Sequence, residues 1–511
     1  MNNNRLKLRF GPSLVAVLLA GCMVGPKYHQ PAATVQPPPA AYKELPAENP
    51  PAGQWKVAQP QDALLHGKWW EIYSDPELNV LEDQLNINNL NIKVSFENFM
   101  EARTLVTQAR AQLYPTLGTT PSFTRSQSSA NLRNNVGATG TAGSGATNVY
   151  STLTEVPFQA SWEPDLWGKV RNTIRNAQYN AQLSAADLEN VRLTEQASLA
   201  VFFFELRGQD AMQQILNDTV QADQKSVDLA RARYETGVDT LLSLVEAQVT
   251  LQQAESASTN LGIARAQFEH AIAVLIGTSA SGFSMPFKPL SAVPPAIPVG
   301  IPTQLLERRP DIAASERAMA AANSQIGIAT AAYYPNLTLS AQGGFESSAL
   351  QNLLTWPSRF WSVGPAVSET IFDAGLRRAA VNQFVAVYNA DVATYRQTVL
   401  TAFQQVEDSL AEVRILSTQI QQQQQAVESA QKFLELSLVR YETGVDTYLN
   451  VLVAQTTLLT DQQQLSSLQT LEMTSSVQLI EALGGGWDRS QLPTPPQVTK
   501  KVSKSEIQAP N

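Results

Sequence analysis

The chain carries one eight-residue segment twice, and this internal repeat limits the folds it can adopt. Arg233–Thr240, with the sequence Arg-Tyr-Glu-Thr-Gly-Val-Asp-Thr, recurs unchanged as Arg440–Thr447, 207 residues later. Gly168 and Gly375 are separated by the same interval. Repetition at this length predicts two copies of one structural unit.

Each copy contains a helical segment that ends at a Tyr-Pro pair. The predicted helices cover 76–113 and 310–332, and they stop before Pro115 and Pro335, because a residue that precedes proline disfavours helical geometry. The two Tyr-Pro pairs are 220 residues apart, so the first copy contains 13 additional residues between its Tyr-Pro pair and Gly168. We assign them to the linker 126–150, which is rich in Gly, Ala, Ser, Thr and Asn.

Alternation of apolar and polar residues after each Tyr-Pro pair predicts one β-hairpin per copy. The expected strands cover 116–124 and 152–162 in the first copy and 336–345 and 361–368 in the second. Strands of about ten residues with one apolar face are typical of transmembrane β-barrels, although a small soluble sheet shows the same pattern.

Two helices of about 65 residues follow, from Gly168 to Arg233 and from Gly375 to Arg440, and neither contains proline. A helix of this length spans about 98 Å. The second helix has a predicted coiled-coil seam with alternating spacings of three and four. The seam consists of positions 410, 413, 417, 420, 424, 427, 431, 434, 438 and 441.

Gly237 and Gly444 lie where each long helix is expected to end in a left-handed C-terminal cap. A second helix of about 35 residues is then predicted to return in each copy, ending near Gly277 and Gly484. Each copy therefore closes with a long helical hairpin.

Composition excludes several classes of protein. Only 16% of the 511 residues are charged, the net charge is −9 and the mean hydropathy is −0.16. The acidic balance argues against nucleic-acid binding, and the mean hydropathy argues against a helical membrane transporter. One Cys and three scattered His exclude a disulfide framework and a His/Cys zinc site. Without a phosphate-binding loop or a nucleophile elbow, we expect no enzyme activity, no cofactor and no metal site.

The N-terminus has the pattern of a lipoprotein signal. Three basic residues precede the apolar stretch 14–20, which is too short to span a bilayer, and Leu19-Ala20-Gly21-Cys22 follows as a lipobox. Cys22 is the predicted lipidation site, although an ordinary signal peptide with an incidental cysteine is the alternative. Met23 stands where an Asp would retain the protein in the inner membrane, so outer-membrane lipid is the expected partner. Residues 22–511 have a net charge of −12, because three cations precede Cys22.

The organisation expected from these features has six parts. They are a signal peptide (1–21), a lipidated Pro-rich tether (22–60), a first repeat (61–275), an equatorial linker (276–302), a second repeat (303–486) and a loose C-terminal tail (487–511).

The strand count requires an assembly if the sheet spans a membrane. Four strands cannot close a barrel, and an open sheet edge cannot face lipid. A dimer would supply eight strands, whose interior fills with side chains, whereas a trimer would supply twelve and leave a lumen. A tetramer is also compatible with this argument.

The sequence resembles the TolC/OprM-like outer membrane factor family over residues 22–490, and within it the lipoprotein branch that serves RND-type pumps. The most specific block runs from Leu305-Leu306-Glu307-Arg308-Arg309-Pro310-Asp311-Ile312 through Ala320-Ala321-Ala322-Asn323 to Tyr334-Pro335-Asn336-Leu337. The lipobox, Lys68-Trp69-Trp70, Asp75-Pro76-Glu77-Leu78 and both Tyr-Glu-Thr-Gly turns also match.

The resemblance implies a membrane α+β protein: a homotrimer with a 12-stranded outer-membrane β-barrel, to which each chain gives four strands, continued by a periplasmic α-helical barrel. It further implies a passive exit duct that works with a periplasmic adaptor protein and an inner-membrane RND transporter. The outer channel of a type I protein secretion system is the alternative within the family. A passive coiled-coil spacer without a lumen is the alternative outside it.

The resemblance also places a closed aperture at the periplasmic tip. The turns at Gly237 and Gly444 would dock the adaptor. The implied gate residues are Tyr234, Asp239, Ser243, Glu246, Tyr441, Asp446 and Asn450. Asn450 and Val453 stand where the family often has two aspartates, which places a cation-binding ring in doubt. Helix N-capping is a second interpretation of Asp239 and Asp446.

Overall fold

Two helical hairpins of equal dimensions are the largest elements of the described structure. The computed structural model describes residues 23–34, 41–44, 67–127, 150–299 and 302–500. Its long helices are α3 (Lys169–Glu235) and α7 (Leu376–Glu442), with 67 residues each. The return helices are α4 (Leu241–Leu275) and α8 (Tyr448–Ala482), with 35 residues each. Both pairs keep the interval of 207 residues, so the predicted lengths and turns are confirmed.

The remaining helices pack mainly against the first half of α3. They are α1 (Pro76–Asn88), α2 (Leu90–Ala111), α5 (Pro302–Arg308), α6 (Pro310–Ala331) and the short α9 (Pro495–Val498). None of the helices within the described ranges combines the length and the apolar character that a bilayer crossing requires.

The first predicted helix, 76–113, is wrong as a single element, because it breaks at Asn89. The backbone of Asn89 is extended, with a ψ of 126°, and its Oδ1 accepts a hydrogen bond from the Ile92 amide (3.0 Å). Its Nδ2 donates to the Leu275 carbonyl at the end of α4 (3.0 Å). The asparagine therefore caps α2 and joins it to the end of the return helix.

The strands form one antiparallel sheet in the order β1/β2–β3–β4–β5. Their bounds are β1 (Thr116–Thr119), β2 (Ser122–Gln127), β3 (Tyr150–Trp162), β4 (Asn336–Ser347) and β5 (Arg359–Ser368). Both β1 and β2 pair with β3, and the break between them contains Pro121, which has no amide hydrogen to donate. The four predicted strands are thus present, the first in two pieces.

Register confirms that the two faces of the sheet differ in polarity. Across the strands, Leu117, Ala160, Ala341 and Val363 are direct partners in one row. The adjacent row, on the opposite face, contains Gly118, Gln159, Gln342 and Ser362. Leu117 is 77% exposed and Val363 is 71% exposed, so the apolar face is uncovered in the single chain.

The largest core lies around the middle of the molecule, where α1, α3 and α8 meet. Its largest fully buried side chains include Trp69, Trp70, Phe203 and Phe204. The predicted equatorial linker runs against this region, and the Leu290 amide donates to the Arg207 carbonyl of α3 (3.0 Å).

A buried ionic cluster fixes the equatorial linker to the helices. Asp210 is fully buried and accepts hydrogen bonds from Arg265 Nε (2.7 Å) and from the Lys288 amide (2.9 Å). Arg207 donates to the Pro286 carbonyl (2.7 Å) and is paired with Glu77. Because each charge is paired or hydrogen-bonded, the cluster tolerates burial.

Of the ten predicted seam positions of α7, four are buried, four are half-buried and two are exposed. Ile420, Val427 and Tyr441 are buried as predicted, but Gln424 and Gln431 are exposed. The second row of the seam passes instead through Leu416, Gln423, Ala430 and Ser437. Residues three and four apart are both neighbours on a helix, and the small Ala430 and Ser437 allow α8 to approach closely.

The described parts of both termini pack on the body, which corrects the prediction of a loose tail. Val498 is 1% exposed and packs against Val106 and Ala181, and Gln182 Nε2 donates to the Pro493 carbonyl (2.8 Å). Residues 23–34 have no helix or strand, as a Pro-rich tether should, but they also contact the body: Tyr28 Oη donates to Glu316 Oε1 (2.5 Å). Residues 501–511 lie outside the described part of the chain.

Candidate functional site: the helical tip

Both hairpins turn by the same backbone motif. Gly237 and Gly444 each have a φ of +72°, a conformation that favours glycine. The Val238 amide donates to the Arg233 carbonyl (2.9 Å), and the Gly237 amide donates to the Tyr234 carbonyl (2.9 Å). The second turn repeats this pair of bonds from Val445 and Gly444, at 2.9 and 3.0 Å. These are Schellman caps, which confirms the predicted left-handed ends.

Asp239 is the centre of a set of contacts that joins the two repeats. Its Oδ2 accepts a hydrogen bond from Tyr441 Oη (2.7 Å), while its Oδ1 accepts from Ser243 Oγ (2.8 Å) and from the Thr240 amide (2.7 Å). Arg233 Nε lies 4.0 Å from Oδ2. Burial alone would raise the pKa of Asp239, but the hydrogen bonds and the Arg233 charge hold it below its usual value.

Tyr441 is buried, and aromatic and cationic groups surround it. The guanidinium of Arg233 lies 4.7 Å from the centre of its ring, and the Tyr448 ring meets it edge-on at 5.4 Å. Arg233 Nη1 also donates to the Glu442 carbonyl (3.0 Å). Burial and the bond to Asp239 raise the pKa of Tyr441. Arg233 and Tyr441 thus hold the first turn against the second.

The equivalent aspartate of the second turn makes local contacts. Asp446 accepts hydrogen bonds from Arg440 Nε (3.1 Å), Asn450 Nδ2 (2.5 Å) and the Thr447 amide (2.9 Å). These bonds, led by that of the amide, hold the pKa of Asp446 below its usual value. Tyr234, the repeat equivalent of Tyr441, is 42% exposed. The two copies are therefore equal in backbone and unequal in side-chain contacts.

N-capping by the two aspartates, the second interpretation of their role, is wrong. Thr240 is the N-cap of α4, and its Oγ1 accepts a hydrogen bond from the Ser243 amide (3.4 Å). Thr447 occupies the corresponding position before α8. The aspartates precede these caps by one residue, so the Asp239 carboxylate is available to accept the hydrogen bond from Tyr441.

The other predicted gate residues line the first turns of the return helices. Ser243 is buried, Glu246 is half-buried, and Asn450 is exposed. Val453 is 49% exposed, so the second copy presents an apolar side chain where the first presents Glu246. Sequence reasoning places Arg233 among the nearest donors to the turn carboxylates, but it misses the buried Tyr448, which begins α8 on the other side of the turn from Tyr441.

The predicted lipidation site Cys22 lies outside the described residues. The chain next to it is held at the junction of sheet and helices, where the Val24 amide donates to the Trp167 carbonyl (3.0 Å). Trp167 stacks on Tyr334 with ring centres 4.8 Å apart. This aromatic pair is of the kind found at membrane–water interfaces.

Comparison with known proteins agrees with this architecture. The model of a family described as outer membrane efflux protein matches residues 81–278 and 301–485. The toluene efflux pump outer membrane protein TtgF of Pseudomonas putida is 31% identical over 487 residues, covering 94% of this chain and 98% of that protein. The pyoverdine export outer membrane protein OpmQ of Pseudomonas aeruginosa is 29% identical over 440 residues, with coverages of 85% and 91%.

A solved structure, that of the outer-membrane channel OprN, superposes on the chain with a TM-score of 0.81. The two are 25% identical, and the match covers 91% of this chain and all of that one. The chain belongs to the outer membrane efflux protein family, and it is a protein of the outer membrane whose long helices extend into the periplasm.

Proposed function

We propose that the protein is the passive exit duct of a tripartite RND-type efflux pump and that three copies form one channel. The observation that carries the proposal is the sheet, which has one uncovered apolar face and, within the described residues, two unpaired edges. Twelve strands from three copies would remove the edges and place the apolar face against lipid.

The helices support a conduit that continues below the membrane. Each 67-residue helix is about 100 Å long, and six of them from three copies would extend the lumen across much of the periplasm. The tip contacts around Asp239 would restrict its far end. The adaptor would dock on the turns at Gly237 and Gly444, and it would connect the duct to an inner-membrane transporter. Cys22 would carry the lipid.

The names of the relatives favour export of small molecules over protein secretion, because toluene and pyoverdine are both small. The chain supplies no chemical step in this proposal, and the direction of transport would come from the pump.

Two neighbouring positions of β5 test the orientation of the sheet. Val363 belongs to the apolar row and Ser362 to the polar row. Val363→Arg should place a charge in lipid and destabilise the sheet by about 2–4 kcal/mol. Ser362→Arg should face the lumen, preserve trimers and alter conductance in planar bilayers. Equal loss of trimers in both variants, or wild-type protein without trimers or conductance, would contradict the duct.

A further inference from the structure

A row of buried polar groups connects the two repeats above the tip. Gln455 Nε2 of α8 donates to Ser226 Oγ of α3 (2.9 Å), and Tyr448 Oη donates to Gln455 Oε1 (3.4 Å). The three residues are at most 9% exposed. Through the ring contact of Tyr448 with Tyr441, the row continues to Asp239.

Asp223 lies one helical turn before Ser226, on the same face of α3. It is 2% exposed, and its Oδ2 has no hydrogen-bond partner within the described part of the chain. Burial raises the pKa of Asp223 to about 6. A buried carboxylate without a partner is costly, whereas the neutral acid is tolerated.

The groups that surround Asp223 within the described ranges offer it no compensating cation. From α8 it faces Tyr448, whose pKa is raised to about 12 by burial and by the charge of Asp223. Glu246 of α4 acts on the same tyrosine and is also acidic. On α3 itself, Lys225 and Asp228 are exposed, and Asp228 accepts a hydrogen bond from Gln224 Nε2 (3.0 Å). Among the described ion pairs, none includes Asp223.

We propose that Asp223 is a proton-operated lock on the tip. When it is neutral, it permits close packing of α3 against α8, and when it ionises, it favours separation of the helices and an open aperture. The inference rests on the proposed duct function, because it names how the gate of that duct responds to the periplasm.

The sign and size of the effect follow from linkage. A carboxyl that is held protonated in the packed state and that has an ordinary pKa of about 3.9 when hydrated favours packing most strongly at low pH. Between pH 5 and pH 7, each Asp223 should shift the equilibrium toward the open tip by about tenfold. The total shift per carboxyl, complete above about pH 7, is about 100-fold.

Single-channel recording in planar bilayers from pH 5 to pH 8 tests the lock. The wild-type channel should open more often as pH rises, whereas Asp223→Asn should stay mostly closed with little dependence on pH. The matched control is Asp228→Asn, which removes an exposed carboxylate of the same helix and should keep the wild-type profile. An Asp223→Asn channel whose opening follows pH as the wild type does would overturn the proposal.

Thermal unfolding of the purified protein separates this proposal from the duct itself. Wild type should lose stability relative to Asp223→Asn between pH 5 and pH 7, whether or not it conducts. If the stabilities of wild type and Asp223→Asn changed with pH in parallel over that range, the proposed lock would be overturned. A wild-type protein without conductance would contradict the duct and leave the unfolding comparison valid.

Discussion

At the scale of single residues, the hydrogen bond from Tyr441 to Asp239 is one of the contacts that join the two repeats at the tip. Tyr441→Phe keeps the buried ring and removes the donor to Asp239, which should cost the closed tip about 1.5–3 kcal/mol. Conductance in planar bilayers should rise. A double substitution of Arg440 and Tyr441 to Ala would be a poorer test, because Tyr441 belongs to the packed cluster of the tip.

Tyr234→Phe is the control for that variant, since it changes the exposed equivalent of Tyr441. Its conductance should match the wild type. Equal conductance in all three proteins would show that the Asp239–Tyr441 bond does not restrict the tip.

Acid should weaken this same bond. The pKa of Asp239 is lower in the folded protein than its usual value, so its contribution is complete above about pH 4 and is lost as pH falls through the lower folded value. Wild-type conductance should therefore rise below about pH 4, and the rise should be absent in Tyr441→Phe. An acid response that persists unchanged in Tyr441→Phe would assign it to other carboxyls.

Gly237 and Gly444 could be predicted from sequence, whereas the choice among the nearby donors that could hold Asp239 could not. A left-handed cap depends on a few consecutive residues, and the sequence Tyr-Glu-Thr-Gly contains all of them. Which arginine contacts the turn of the other repeat depends on how two helices 207 residues apart pack together. For that reason the sequence does not distinguish Arg440, which is near in the turn, from Arg233, which makes the contact.

At the scale of elements, the equatorial linker is held by buried charge. Asp210→Ala would leave Arg207 and Arg265 buried with fewer partners, and removal of one member of such a cluster costs about 3–5 kcal/mol. We expect a lower thermal midpoint and faster proteolysis within 276–299. The control is Asp218→Ala, which removes an exposed aspartate that accepts a hydrogen bond from Gln214 on the same helix. Equal thermal midpoints in the two variants would show that the buried ionic cluster does not hold the equatorial linker.

Helix ends and strand faces are predictable because each is encoded by local periodicity. The breaks at Asn89 and Pro121 and the one-residue shift of the α7 seam are features that the sequence prediction missed. Asn88-Asn89 within an otherwise helical stretch is a usable signal, since asparagine favours caps. The one-residue shift of the α7 seam has no such signal. Residues three apart and residues four apart are both neighbours on a helix surface, and the partner helix decides which of them form the seam.

At the scale of the whole molecule, the helices and strands should fold without the lipid that is predicted on Cys22. Residues 23–34 already contact the body through Tyr28 and Val24. Cys22→Ser should therefore abolish labelling with palmitate and change the free energy of unfolding by less than about 1 kcal/mol. Retention of the label would show that Cys22 is not the acylated residue, and a large loss of stability would show that anchoring contributes to folding.

The equal length of the two hairpins has a consequence for how such a protein can change in size. Inserting one residue into α3 alone would advance its end by about 1.5 Å and rotate it by about 100°, which would carry Arg233 and Asp239 away from Tyr441. Removing about seven residues, close to two full turns, from each of α3, α4, α7 and α8 should shorten both hairpins by about 10 Å and keep Tyr441 beside Asp239, while the same removal from one hairpin should separate them. Cross-linking of Asp239→Cys and Tyr441→Cys with a short bifunctional maleimide, which spans the place of the tyrosine ring, would distinguish the two cases. The halves of this chain can therefore lengthen or shorten only in step.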